Sequence, residues 1–205
     1  MIVVIDYGMG NVGSILNMLK KIGAKAILSS KVADVGEAEK LILPGVGAFD
    51  HGMKNLDSLG LIPVLHDKVR RLGSPILGIC LGMQLFTLRS EEGVQTGLGW
   101  LDGETIRFET EVGQAKLRVP HMGWNTVQLK ADSVLFDGVG SDSRFYFVHS
   151  YHVTCTDPAD VLAMTSYGHE FVSAVQKGRI VGVQFHPEKS HKFGMQILKN
   201  FVDRV

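Results

Sequence analysis

The side chains most able to do chemistry in this chain are two cysteines and eight histidines, and only one thiol stands where it would react. Leu77-Gly-Ile-Cys80-Leu-Gly-Met-Gln84 sets Cys80 between Gly78 and Gly82, after an apolar run and before a helical one. This G-x-C-x-G pattern is the thiol counterpart of a nucleophile elbow, whose glycines let strand and helix approach until the corner residue is forced outward. A helix N-terminus there would favour the thiolate through its backbone N–H groups and macrodipole. Cys155 has no such setting and reads as a small, reduced, apolar side chain.

A thiolate needs a base, and Gln184-Phe-His186-Pro-Glu188 offers one. The residue before proline is held extended, and in an extended chain residues i and i+2 share a face. The spacing therefore aims Glu188 at the His186 imidazole, where it would fix the tautomer and stabilise the imidazolium. Cys80, His186 and Glu188 become candidate nucleophile, base and orienting acid. Acyl chemistry also needs an oxyanion hole. One N–H is expected from Leu81, next after the nucleophile, and a second from the glycine-rich loop Pro44-Gly-Val46-Gly47. Of the other histidines, His149 and His152 read as a strand end and His121 as a proline turn. His51, His66, His169 and His191 read as surface or loop. No pair has zinc-ligand spacing with a cysteine, so no metal site is expected.

The elements that must carry these residues follow from hydrophobic pattern. Ile2–Ile5, Ala26–Leu28, Leu41–Leu43 and Pro75–Ile79 read as buried parallel strands. They alternate with helices over 11–22, 59–71 and 82–88. Strands alternating with helices predict an α/β fold, a doubly wound and mostly parallel sheet of flavodoxin type. Beyond Gly97 the texture changes to short strand candidates (105–108, 115–119, 126–129 and 145–148), read as an antiparallel extension of that sheet. The runs 171–176 and 180–185 flank Lys177-Gly-Arg179, a hairpin signal, and a closing helix is predicted over 190–203. No linker or repeat interrupts residues 1–205, which read as one domain.

A second glycine turn competes for attention. Gly8-Met-Gly10-Asn-Val-Gly13 matches G-x-G-x-x-G between a strand and a helix, as a dinucleotide site requires. The acidic residue that should end the second strand is missing, since the chain reads Leu28-Ser-Ser-Lys31 there. The glycines are read instead as a structural turn or a contact surface, and no cofactor is expected.

Twenty-one basic residues balance twenty-one acidic ones, which gives no electrostatic case for nucleic acid or an anionic membrane. No apolar run nears the roughly 20 residues of a membrane helix, and two cysteines make no disulfide framework. The expected location is the cytoplasm.

Together these residues resemble the class I (triad) glutamine amidotransferases. Gly78-Ile-Cys80-Leu-Gly82-Met-Gln84 and His186-Pro-Glu188 carry that family pattern in its order. A finer likeness is to the glutaminase subunits of imidazole glycerol phosphate synthase. It is carried by Asp6-Tyr-Gly-Met-Gly10-Asn11, Pro44-Gly-Val-Gly47-Ala-Phe, Pro120-His-Met-Gly-Trp124-Asn125 and Phe147-Val-His-Ser150-Tyr151. The likeness spans nearly the whole chain. It implies hydrolysis of glutamine through Cys80, His186 and Glu188, with the Leu81 and Val46 N–H groups at the oxyanion. Gly47, Gln84, Ser150 and Tyr151 would hold the substrate. It further implies transfer of ammonia to a (β/α)₈-barrel cyclase subunit in a heterodimer, with Asn11, Trp124 and Tyr146 facing that partner. The Gly45-Val46 peptide would be poorly placed until the partner binds its ligand, leaving the isolated chain a weak glutaminase. Rival readings are the glutaminase subunit of pyridoxal phosphate synthase, another cysteine hydrolase of the same fold, and a nucleotide-binding module built on the Gly8 turn.

Overall fold

The computed structural model describes residues 1–112 and 115–205. Strand β1 (Ile2–Ile5) is wholly buried, and its neighbours in the sheet are β2 (Ala26–Ser29) on one side and β3 (Lys40–Gly45) on the other. Strand β4 (Ile76–Cys80) pairs with β3, and the late strand Ile180–Val183 pairs with β4, all in parallel. The resulting order, β2-β1-β3-β4 and then Ile180–Val183, is the 2-1-3-4-5 order of flavodoxin-like sheets. Successive residues of β1 face opposite cores: Val3 and Ile5 pack into one apolar cluster, Ile2 and Val4 into the other. Burial on both faces is why these strands read as continuous apolar runs rather than alternating ones.

Helix α1 (Val12–Lys21) follows β1 and buries Ile15 and Leu19. Two helices were not visible in the pattern. α2 (Val32–Glu37) is six residues long and buries Val35 alone. α3 (Phe49–Ser58) contains Gly52, which breaks the apolar stripe because a Cβ there would meet Leu85 at 3.3 Å. The helix predicted over 59–71 begins later, as α4 (Leu61–His66), because Gly60 adopts φ +66. Its last turn widens into a π-helix over Asp67–Arg71. The closing helix α6 covers His191–Arg204.

The second half departs from the expectation in several respects, the first being that Ala115–Lys116, within the predicted 115–119 strand, pairs with Glu111–Val112 as a separate ribbon instead of extending the sheet. His169–Lys177 pairs antiparallel with Ile180–Val183 as predicted, and among the described residues the sheet continues through Tyr151–Val153 and Glu104–Arg107 to Arg89–Ser90. Val161–Tyr167, unpredicted, pairs with His169–Lys177. The segment 145–148, however, lies in Arg144–His149, which pairs with His121–Thr126 as a separate ribbon. That ribbon is not an extension of the sheet. Its end nearest the sheet brings His149 and His121 together, opposite one another in register.

A candidate active site at the tip of the fourth strand

Cys80 ends β4 with φ 54 and ψ −110, a left-handed backbone on a side chain that has a Cβ. Such a conformation costs about 1–3 kcal/mol and persists only where the surroundings impose it. Here glycine packing imposes it. A Cβ on Gly82 would lie 1.8 Å from the Leu43 carbonyl oxygen, and one on Gly78 would lie 2.6 Å from the Phe86 ring. Strand and following helix therefore meet more closely than any other residue allows, as the elbow pattern predicted.

The helix after the elbow is not the one expected. α5 covers Leu81–Gln84 and then stops. Thr87 Oγ1 takes up the Gln84 carbonyl at 2.8 Å, and Leu98 and Trp100 donate their N–H groups to the Leu85 and Phe86 carbonyls. Tertiary hydrogen bonds replace the second turn. One turn carries little aligned dipole, so the side chains around Cys80 matter more than the helix.

Those neighbours come by register. Ile180–Val183 pairs with β4 up to Val183 opposite Ile79. The next residue, Gln184, is fully buried, and its Nε2 lies 3.6 Å from Cys80 Sγ. Two residues on, His186 Nδ1 meets Glu188 Oε1 at 2.8 Å, both side chains 1% exposed. The predicted contact is present and His186 is extended as predicted, but the chain does not stay extended: Pro187–Lys189 forms a 3-10 turn, and the turn brings Glu188 back to the ring. The His186 N–H donates to the Tyr146 carbonyl at 2.9 Å, fixing the backbone beneath. His186 Nε2 is buried without a hydrogen bond of good geometry, and the Cys80 sulfur lies close enough to act on the ring. Burial pulls the His186 imidazole down, but the Cys80 thiolate and the Glu188 carboxylate outweigh it and push its pKa up to about 10. The imidazolium is the preferred form beside a thiolate and a carboxylate.

A cavity of about 410 Å³ opens beside Cys80. Its lining includes Val46, Gly47, Leu81, Gln84, Ser150 and Tyr151, six residues singled out from sequence for the oxyanion or substrate. Gly45, which pairs with Cys80, has no room for a side chain, since a Cβ would meet the buried Tyr7 hydroxyl at 2.5 Å. Glu92, Pro120 and His149 also line the cavity and were not foreseen in that role. Glu92 Oε2 accepts the Phe49 N–H at 2.8 Å, tying its loop to the start of α3. No sequence signal marks it. His149 and His121, read from sequence as a strand end and a proline turn with no role assigned, are both buried, at 6% and 3% exposure. Burial pulls their pKa values down to about 3 and about 4, so both are neutral. Cys155 is half-buried with its thiol pushed up to about 12, first by burial and then by Asp160.

The Gly8–Gly13 turn lies apart from this cavity's lining. Gly8 and Gly10 take φ +79 and +105. At the end of β2, the Ser29 hydroxyl is held by Asp34 of α2 at 2.5 Å, so the nearest acid is already engaged. Of the residues proposed to face a partner, Asn11 is exposed, Trp124 is 45% exposed and Tyr146 is half-buried. Trp124 and Tyr146 are cross-strand partners with ring centres 5.9 Å apart, and Trp124 stacks on His191. Among the described residues no group of three or more His, Cys, Asp or Glu could hold a metal ion, and no helix is long and apolar enough to cross a membrane.

A flavodoxin-like sheet with a strained cysteine elbow, served by a histidine–carboxylate pair from the adjacent parallel strand, defines a class of thiol acyl-transfer proteins. The sequence model described as glutamine amidotransferase class-I matches residues 3–205, and the chain belongs to that family. It is 53% identical over 205 residues to an imidazole glycerol phosphate synthase subunit HisH 2 of Pseudomonas aeruginosa, all of both chains being covered. It is 54% identical to a protein of the same description from Methanococcus maripaludis, again over the full length of both. A solved structure described as a glutamine amidotransferase superposes with TM-score 0.74 at 20% identity, covering 97% of this chain and 98% of that one, and it shares the fold.

Proposed function

We propose that this chain is the glutaminase subunit of an imidazole glycerol phosphate synthase. The observation that carries the reading is that Cys80 lines a cavity sized for an amino acid, while the His186–Glu188 pair follows directly on the strand that lies beside β4. Relatives about half identical over their full lengths, each described as a subunit of that synthase, favour it over a pyridoxal phosphate synthase subunit.

In this reading glutamine enters the cavity beside Gly47, Ser150 and Tyr151. Its ammonium group has two acceptors available there, the Glu92 carboxylate and the Gln84 side-chain oxygen. The Cys80 thiolate attacks the side-chain carboxamide carbon, forming the C–S bond and an oxyanion. The Leu81 and Val46 N–H groups stabilise that oxyanion, a contribution on the order of 3 kcal/mol for a well-placed donor. His186, held as imidazolium by Glu188, gives its Nε2 proton to the leaving nitrogen as the C–N bond breaks and ammonia departs. His186 then takes a proton from water, which attacks the thioester. The C–S bond breaks, glutamate leaves and the thiolate is restored.

The ammonia passes to a (β/α)₈-barrel cyclase subunit, which forms imidazole glycerol phosphate and a carboxamide ribotide. Asn11, Trp124 and Tyr146 face that partner. Continuity supports this surface: α1 packs against the same Pro187–Lys189 turn from which His191, the stacking partner of Trp124, follows.

Cys80→Ala in the complex tests the reading. Glutamine-dependent synthesis is expected to fall at least about a thousandfold, while synthesis from added ammonium salt is retained. Survival of the glutamine reaction would overturn the assignment of the thiol. Equal loss of both reactions would overturn the division of labour between the subunits.

A further inference from the structure

The Tyr151 carbonyl sits where two buried side-chain arms meet. His149 Nδ1 lies 2.8 Å from it and Gln84 Nε2 lies 3.0 Å from it. A carbonyl can only accept, so both nitrogens must carry the proton. That single fact fixes the direction of every other bond in the set.

Along the first arm, a neutral His149 with its proton on Nδ1 has a lone pair at Nε2, and His121 Nδ1 lies 3.1 Å away to supply the hydrogen. His121 is then left with a lone pair at its own Nε2, which the Asn125 amide meets at 3.4 Å. Asn125 is held in turn by the Ser166 carbonyl at 2.9 Å. Along the second arm, Gln84 spends one N–H on Tyr151 and the other on Gln184 Oε1 at 3.1 Å. Gln184 therefore presents its amide nitrogen, not its oxygen, to Cys80 Sγ. With both N–H groups spent, Gln84 has only its oxygen to offer the cavity it lines.

We infer that His149, backed by His121, is a positioning residue for the glutamine reaction: it holds the Tyr151 carbonyl, and through it the orientation of Gln84 and of the Gln184 amide that donates to the reacting sulfur. The inference rests on the glutaminase reading of the cavity. Burial that keeps both imidazoles neutral agrees with it, because a protonated His149 could not accept from His121. The neighbouring rings are consistent with a fixed pose: His121 stacks on Phe147 and Tyr167, with ring centres 4.8 and 4.1 Å away. Without His149, the Tyr151 peptide keeps one donor of two and His121 loses its acceptor. The carbonyl to which Gln84 donates is then no longer held from its other side, so the anchor that sets the Gln84 amide is free to shift.

The test uses the complex with the cyclase subunit, reading glutamate release against glutamine concentration. His149→Phe keeps the ring volume and removes both nitrogens. It is expected to raise KM for glutamine about fivefold to tenfold, the ratio that one lost neutral hydrogen bond gives, with a smaller change in kcat. His149→Asn returns an N–H at the Nδ1 position and is expected to restore KM to within about twofold of the parent. Gln184→Met, which removes the donor to the sulfur, is expected to lower kcat more than it raises KM. An unchanged KM in His149→Phe would overturn the inference, as would a His149→Asn variant no better than His149→Phe. Should His149→Phe not fold, His121→Phe provides the same reading one bond further out. A KM raised beyond the parent supports the inference, and an unchanged one overturns it. Cys80→Ala run alongside separates the two levels. If it still releases glutamate, the glutaminase reading of the cavity has failed; if it is dead while His149→Phe keeps its KM, only the positioning role has.

Discussion

Two glycine-rich turns join a strand to a helix in this molecule, and they are built on opposite economies of space. In the elbow after β4 the glycines are crowded and the corner residue is strained: Gly82 has no room for a methyl group, and Cys80 itself takes φ 54. In the turn after β1 the glycines carry the unusual backbone themselves, with Gly10 at φ +105, and Gly13 has nothing within 4 Å of where a Cβ would stand. The first arrangement expels a side chain at a set point above the sheet. The second presents bare backbone at the surface, and a Cβ added at Gly10 would lie 3.3 Å from the Gly45 nitrogen beside the second glycine loop. Identical residue types at similar spacing thus serve a reactive group in one place and a buttress in the other.

The contrast can be broken by adding single methyl groups. Gly82→Ala should have the largest effect, because the new Cβ meets a backbone oxygen that cannot step aside. We expect a loss of about 3 kcal/mol, the upper part of the range for overpacking, measurable by urea unfolding. Glutaminase activity should fall even in the folded fraction, since the elbow must open. A smaller effect is expected from Gly10→Ala, about 1–3 kcal/mol from a backbone region that side chains avoid, with part of the activity retained. The smallest belongs to Gly13→Ala. That position is inside α1, has open space and keeps ordinary dihedrals. The isolated chain should gain about 0.5–1 kcal/mol from the better helix former. If the same variant binds the partner subunit more weakly, the open space at Gly13 is covered in the complex. Unchanged affinity would leave this turn a purely internal support.

Some parts of the site were legible because their causes are local. The elbow is written in Gly78, Cys80 and Gly82, whose steric demands act within a few residues. The His186–Glu188 contact is written in a five-residue motif, and His186 is extended as read, although the chain turns after it where an extended run to Glu188 was expected. Other parts were illegible because their causes are distant. α5 is one turn long owing to hydrogen bonds from residues 98 and 100. Glu92 enters the cavity because its loop is tied to α3. His149 and His121 face each other only because two strands far apart in sequence pair as a ribbon, and no spacing along the chain announces that they share a proton donor and acceptor. α2 was missed because six residues burying only Val35 make too short an apolar stripe to read, and α3 because Gly52 stands on its buried side.

The sequence by itself determined which thiol would stand at a strained elbow, which histidine and carboxylate would pair, and that a parallel sheet would carry them, because glycine sterics, proline geometry and apolar periodicity act over short spans. Only the tertiary structure decided that Gln184 would point its amide at Cys80 and that two further histidines would close the wall behind the cavity. The first outcome depends on strand register between segments about a hundred residues apart and the second on the pairing of two strands in a separate ribbon, a matter of which backbone hydrogen bonds pair with which, and residue type alone does not specify it.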